Sequence, residues 1–420
     1  MRSWNCEWYP GATAAPKLRG ASPLPALSLP GALPVEDCRG DRAKIMARLL
    51  ILAASARALA QAARRASLRV QVADAFADED TASCAERLWH IPELLGDSEE
   101  RLLEAVEPLL AARPRVIVGG GLEAWPRLLC ELERRAELLG TSSELWLSIN
   151  KRLFNKCLKD KYNLHTSIGR WPSRGDWLVK RTGGSGGCRV RPWCPGEALL
   201  PGEYLQKRFP GRPRSVVFLA DGRRAVLLGS NTLYSLAPER GDFRYAGAIN
   251  QARLPAALER GLPERVDALV RETGLRGLCG LDFFAAPDGS LRLLEINPRP
   301  TATCELHERP PGLLRWHILA CQGRLPHRMP ALPLRPPVVG QSVCYAGKGF
   351  VLPADWRWPS WTADRPRPGA WIAAGQPVCS LYARAASETR VKSLLAARQA
   401  RLVMALRLRG LSPLAIPAVC

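Results

Sequence analysis

Between Gly280 and Arg299 the chain reads Gly-Leu-Asp-Phe-Phe-Ala-Ala-Pro-Asp-Gly-Ser-Leu-Arg-Leu-Leu-Glu-Ile-Asn-Pro-Arg, two alternating apolar segments around an Asp288-Gly289 pair. Asp-Gly between such segments marks a two-residue β-hairpin turn. A turn centred there pairs residues whose numbers sum to 577 (288 plus 289), so Asp282 faces Glu295, with side chains roughly 5 Å apart on one face. Asn297, two residues on, shares that face. Facing carboxylates destabilise a sheet unless a cation lies between them. Hard oxygen donors at that separation suit Mg²⁺ or Mn²⁺. The apolar neighbours Leu281, Phe283, Leu293, Leu294 and Ile296 argue against a merely solvated acidic pair.

A second group of residues precedes it. Trp177-Leu-Val-Lys-Arg leads into Thr-Gly-Gly-Ser-Gly-Gly-Cys, a strand ending near Lys180 and a loop with Gly183, Gly184, Ser185, Gly186 and Gly187. Glycines there let backbone N–H groups turn towards an anion without Cβ obstruction. The lysine precedes the glycines and no helix follows, so the segment is not a Walker loop. The chain has 50 Arg and only ten Lys, yet six of the ten lie between 151 and 207. Where Arg is the default, a retained Lys points to a compact ammonium at a phosphate. Lys151 and Lys180 are the candidates, while Lys156, Lys159 and Lys161 read as a solvated helix face.

These residues need elements to hold them. From Met46 the texture alternates: a strand at Leu49–Ala54, an Ala-rich helix at Arg57–Arg65, a strand at Arg69–Ala73 and a helix near Glu99–Ala112. A strand at Val116–Val118, the Gly119–Gly121 turn and a helix over Glu123–Leu139 follow. That alternation predicts a parallel α/β domain over 46–145. From about 141 strands and hairpins take over, with the functional motifs in 146–330. After the Pro-rich Leu332–Pro337, residues 338–420 read as short strands closed by an Arg-rich helix, Arg390–Arg407. Residues 1–45, rich in Pro, Gly and Ala and without an apolar signal core, read as a flexible extension or a start assigned upstream of Met46.

Composition limits the alternatives. With 420 residues, 47% hydrophobic and 24% charged, the chain is globular rather than disordered. No apolar run reaches the ~20 residues of a membrane helix. Thirteen Cys and five His without metal-ligand spacing suggest reduced thiols in the cytoplasm rather than a disulfide framework or zinc site. The net charge of +21 fits an acidic partner or Arg-rich coding alike. Nucleic acid is disfavoured, because no basic block interleaves with aromatics.

A Lys-then-Gly-rich hairpin, followed about a hundred residues later by Asp…Glu-Ile-Asn-Pro-Arg, resembles the ATP-grasp superfamily over about residues 46–325. The resemblance implies a Rossmann-like (pre-ATP-grasp) N-terminal domain, a two-subdomain ATP-grasp fold and a small β-rich C-terminal cap. It implies ATP and Mg²⁺ (or Mn²⁺) as cofactors, Lys151 and Lys180 on the nucleotide, and Gly183–Gly187 over its phosphates. Leu205–Gly211 is similar to the adenine hinge, with Gln206, Lys207, Arg208 and Phe209 beside the base and Lys207 where the family commonly has Glu. Asp282, Glu295 and Asn297 match the metal ligands. Arg299 matches the arginine that steadies the transferring phosphate, and with Lys180 forms the implied catalytic pair.

The activity so implied is an ATP-dependent carboxylate–amine ligase. A substrate carboxylate takes the γ-phosphate, and an amine then displaces phosphate from the acyl-phosphate. A narrower resemblance points to ligases that join glutamate to an amine in the biosynthesis of tetrahydromethanopterin and methanofuran. Other ATP-grasp phosphotransferases or carboxylase-like enzymes, or an inactive basic nucleotide- or nucleic-acid-binding protein, are the alternatives. Small-molecule carboxylate and amine substrates are the expected partners, no membrane is involved, and a homodimer is allowed for. Thr301, Thr303, Glu305 and His307 are the candidates for substrate contact.

Overall fold

The computed structural model describes residues 49–149, 166–167, 176–286, 290–310, 312–325, 337–411 and 414–415. The N-terminal extension, the Asp288-Gly289 turn and Lys151, Lys156, Lys159 and Lys161 lie outside the described residues.

The first unit is a five-stranded sheet: β1 (Leu49–Leu52), β2 (Val70–Asp74), β3 (Arg87–His90), β4 (Arg115–Val118) and β5 (Glu137–Leu138), in the order β3-β2-β1-β4-β5. Every pairing is parallel. Leu49–Leu52 is buried throughout, as expected for a parallel strand covered on both faces. Helices α1 (Arg57–Arg65), α2 (Glu79–Ala82), α3 (Glu99–Leu110), α4 (Pro126–Arg135) and α5 (Ser143–Ile149) connect and flank the strands. The chain winds in opposite directions from β1 and β4, which makes the crevice beyond their carboxyl ends the natural ligand site of such a sheet. There the Ala54 N–H donates to the Gly120 carbonyl at 2.8 Å.

Two expectations are corrected in this unit. The helix foreseen over Glu123–Leu139 is shorter, because Pro126 occupies its first turn and cannot donate further back. At its other end Glu137 and Leu138 pair with Arg115 and Val116. Strand β3 was not foreseen. It is a partly exposed edge, with Arg87 stacked 3.7 Å above the Trp89 ring, so it lacks the apolar run of its neighbours.

The second unit is a four-stranded antiparallel sheet of β6 (Thr166–Ser167), β7 (Trp177–Arg181), β8 (Arg191–Pro192) and β9 (Glu203–Lys207), ordered β6-β9-β7-β8. Val179, Trp193 and Leu205 form its small core.

The third is a nine-stranded antiparallel sheet. It holds β10 (Arg214–Asp221), β11 (Ala225–Ala237), β12 (Asp242–Asn250), β13 (Arg276–Ala285), β14 (Leu291–Asn297) and β15 (Val338–Ala346). It continues through β17 (Thr362–Ala363), β19 (Pro377–Ala385) and β20 (Leu414–Ala415), while β16 (Phe350–Val351) and β18 (Trp371–Ile372) pair separately. The C-terminal strands therefore extend the central sheet, β15 pairing with β12. Helix α6 (Ala256–Thr273) buries Leu258, Leu262, Val266, Leu269 and Val270 against β10, β13 and β14. Helix α7 (Leu313–Cys321) packs on β10 and β13. Helix α8 (Glu388–Arg407) covers β15 and β19, its first turn capped by Ser387, which accepts the Arg390 N–H at 3.3 Å.

Candidate functional site

On the β13–β14 hairpin, Asp282 is the register partner of Glu295. The one-to-one register summing to 577 holds for residues 280–282 only. From Phe283 onward it slips by one, Phe283 facing Leu293, which leaves Leu294 as an extra, unpaired residue. This bulge has a chemical result. Leu293 and Glu295, two apart, would share a face in a regular strand. The extra residue sends Leu293 into the core under α6 while Glu295 emerges opposite Asp282, the re-aiming that bulges serve. The Leu294 carbonyl, out of the ladder, accepts a hydrogen bond from Gln206 Nε2 on β9 at 3.1 Å.

Asn297 joins the two carboxylates, its amide nitrogen 3.5 Å from Asp282 Oδ2 and 3.4 Å from Glu295 Oε1. Turning the amide would offer its oxygen to the same point. Two carboxylates and one amide oxygen are a hard donor set that fits a Mg²⁺-type ion, with water and phosphate completing its shell.

The Gly-rich loop closes over this cluster. Lys180 leaves β7 opposite Tyr204, and Gly183 follows with φ +77°. A Cβ on Gly183 would lie 2.8 Å from the Glu123 carbonyl oxygen, and one on Gly187 (φ +72°) would lie 1.9 Å from that of Phe243. The loop is thus seated against both the parallel domain and β12, where Tyr245 N–H donates to the Gly186 carbonyl at 2.9 Å. Gly183, Gly184, Ser185, Glu295 and Asn297 line one small cavity of about 20 Å³. Loop and acidic cluster therefore face the same space.

The hinge residues divide. Gln206 is buried and its Oε1 has no hydrogen-bond partner among the described residues, an acceptor that a base amino group would satisfy. Lys207 is exposed. The Arg208 N–H donates to the Asp176 carbonyl at 2.8 Å, its guanidinium reaching Pro238 and the Phe243 ring. Phe209 packs edge-on to Phe284 and beneath Arg292.

Arg299 Nε donates to Glu123 Oε1 at 2.6 Å. Beyond it opens a cavity of about 330 Å³, lined by Ser185, Gly186 and Arg299 at one side and by Arg57, Glu305 and Asp364 at another. Arg57 donates to Asp364 (2.9 and 3.1 Å), to Glu305 (2.5 and 2.9 Å) and to the Tyr382 hydroxyl (2.8 Å). Burial pulls this guanidinium down, but the two carboxylates outweigh it and hold its pKa well above the ordinary value. Burial pushes Asp364 up, and Arg57 more than reverses that, leaving it below the usual carboxylate range.

Of the substrate candidates, Thr301 and Glu305 line this cavity. His307 turns away into the sheet, 2.9 Å from Asn231 Oδ1, and burial lowers its pKa to about 3. Thr303 pairs with the Thr301 hydroxyl at 2.9 Å. Arg57, Asp78, Asp364 and Tyr382 carried no motif. The only hint was the acid-rich Asp74–Asp80 segment.

Residues 147–303 match the model of an ATP-grasp domain. Vancomycin C-type resistance protein VanC1 of Enterococcus gallinarum is 41% identical over 63 residues, 15% of this chain and 18% of that protein. The chain thus matches less than a fifth of the length of that curated relative. The biotin carboxylase domain of Hydrogenobacter thermophilus 2-oxoglutarate carboxylase superposes with a TM-score of 0.62 at 14% identity, covering 82% of this chain and 88% of that one. L-amino acid ligase from Bacillus licheniformis superposes with a TM-score of 0.59 at 14% identity, covering 83% and 96%. The fold is that of the ATP-grasp proteins, a parallel domain followed by the antiparallel sheets that carry the matched motifs.

Proposed function

We propose that this chain is an ATP-dependent carboxylate–amine ligase that works through an acyl-phosphate. The observation carrying this reading is a shared space: the Gly-rich loop meets Glu295 and Asn297, which lie beside Asp282, at one small cavity, and Ser185 lines both that cavity and the larger one to which Arg299 belongs. ATP with Mg²⁺ supplies the phosphoryl group. Asp282, Glu295 and Asn297 would hold the metal, the loop N–H groups and Lys180 would hold the phosphates, and Arg299 would neutralise charge at the group in transfer. The seated loop keeps water from an activated acyl group. No nucleophilic side chain is required.

The likeness to a biotin carboxylase domain raises a carboxylase-like reading, in which bicarbonate is the carboxylate. The larger cavity argues against it, since about 330 Å³ walled by residues such as Leu59, Phe76 and Val343 suits an organic body rather than a small hydrated anion. Within the ligase class, glutamate joined to an amine for a one-carbon carrier is a narrower reading, supported by the motif wording alone.

Phosphate release from ATP is the test, with Mg²⁺ and separately Mn²⁺, on a matrix of carboxylates and amines that includes glutamate with tyramine. Release that needs both partners and disappears in Glu295→Ala supports the ligase. Release with bicarbonate alone would replace it by the carboxylase-like reading, and no binding of Mg-ATP would end both.

A further inference from the structure

The loop between β2 and α2 brings Asp78 to the wall of the larger cavity. The residue is 4% exposed, yet its carboxylate has no hydrogen-bond partner among the described residues and does not cap α2. Its acidic neighbours are all engaged. Asp74 accepts the N–H of Ala77 at 2.7 Å and of Ala56 at 3.3 Å. Asp80 accepts those of Asp364 and Arg365, each at 3.0 Å. Asp364 and Glu305 share Arg57, whose remaining donors go to Tyr382 and Gln61. Asp78 therefore stands as a third carboxylate beside a cation already spent on two. Burial, with Asp364 adding to it, pushes its carboxyl well above the ordinary range. An unpaired buried acid costs stability, so its place at a ligand-sized cavity calls for a ligand.

The cavity is also polarised. Gly120 lies against the Arg299 guanidinium, Ala54 bonds to Gly120, and Ser55 Oγ bonds to Asp364 at 3.3 Å. Two strand-end loops thus separate the Arg299 side from the acidic side. We propose that Asp78 receives the ammonium group of an amino-acid substrate whose carboxylate points to Arg299 and whose apolar side chain packs on Leu59, Phe76 and Val343. This rests on the ligase reading for the fate of the carboxylate and assigns the substrate class that the reading leaves open. It also sets a local sign opposite to the chain's +21: the cavity floor repels an anionic side chain there.

Binding separates the two claims. Calorimetry on the full chain without nucleotide would compare the standard L-amino acids with des-amino isosteres such as 3-phenylpropanoate and 4-methylpentanoate. At least tenfold tighter binding of an apolar amino acid than of its isostere is expected. Asp78→Asn should abolish that preference while raising Tm, an outcome that a merely structural aspartate would not give. Asp78→Ala repeats the test should the amide misfold. Equal binding of amino acid and isostere, no binding by any amino acid, or a preference that survives in both variants overturns the proposal. An Asp78-dependent preference in a protein that releases no phosphate with any amine would uphold this site and end the ligase reading instead.

Discussion

One carboxylate, Glu123, holds both the Arg299 guanidinium (Nε to Oε1, 2.6 Å) and the Gly121 N–H (2.9 Å to Oε2). It thereby ties the segment that follows β14 to the glycine turn after β4. Misplacing a charge near a reacting group by about 1 Å can cost on the order of 100-fold in rate. Glu123→Gln keeps the shape and weakens the tether, so turnover should fall about 10- to 100-fold with the KM for ATP nearly unchanged. Steady-state kinetics decide it. A loss confined to ATP KM would show that Arg299 binds ground-state nucleotide instead.

Asp282 and Glu295 face each other across a β-ladder, where like charges are destabilising. If the proposed metal site stands, Asp282→Asn should match or exceed the parent in Tm in EDTA, lack the Tm gain expected of the parent with Mg²⁺, and lose ATP turnover. A Mg²⁺ stabilisation that persists undiminished would remove Asp282 from the metal site.

The seated loop offers a steric probe. Gly187 has φ +72° and no room for a Cβ beside the Phe243 carbonyl. Gly187→Ala should cost about 1–3 kcal/mol locally, read as faster proteolysis of the loop. Uncoupled hydrolysis of ATP should rise as water gains entry. Unchanged cleavage and coupling would mean that the loop does not need this seat.

Acid should loosen the junction at His317. Its Nδ1 accepts the Leu278 N–H (2.8 Å) and its Nε2 donates to the Leu139 carbonyl (3.0 Å), so the buried ring is neutral. Burial lowers its pKa from 6.5 to about 4. The unfolded chain binds a proton near pH 6.5 and the folded chain does not until about 4. The ring's contribution is thus complete above pH 6.5 and is lost as pH falls towards 4, by about 3 kcal/mol. Asp74, raised by burial to about 6, acts oppositely, favouring the fold below 3.8 and ceasing to do so as pH rises through 6. The slope belonging to His317 is isolated by urea unfolding of His317→Gln, which should flatten the decline between pH 6.5 and 4.5.

Local structure was legible where one segment contained it, as for α1 from Arg57 to Arg65 and its Ala-rich pattern. Asp282 and Glu295 do face each other, but the pairs nearer the turn sum to 576 rather than 577, and the facing is restored by the bulge at Leu294. The bulge at Leu294 was not legible, because the extra residue is as apolar as its neighbours and only the core under α6 decides which leucine turns inward. Strand β3 was missed because an edge needs no apolar run. The acidic side of the cavity was out of reach for another reason. Arg57 meets Glu305, Asp364 and Tyr382 at separations of 248, 307 and 325 residues, and no spacing rule spans such distances.

Those separations also set an order of events during synthesis. Arg57 emerges from the ribosome early, but its partners follow some 250 to 325 residues later. Until then a guanidinium that is buried in the finished protein must remain hydrated, and the parallel sheet can form only with that crevice open. Closing so long a loop is slow, although each doubling of its length adds only about 0.6 kcal/mol. The nascent chain can therefore hold a formed parallel domain and a paired Asp282–Glu295 hairpin without the larger cavity, and gains that cavity only when β19 has paired with β15.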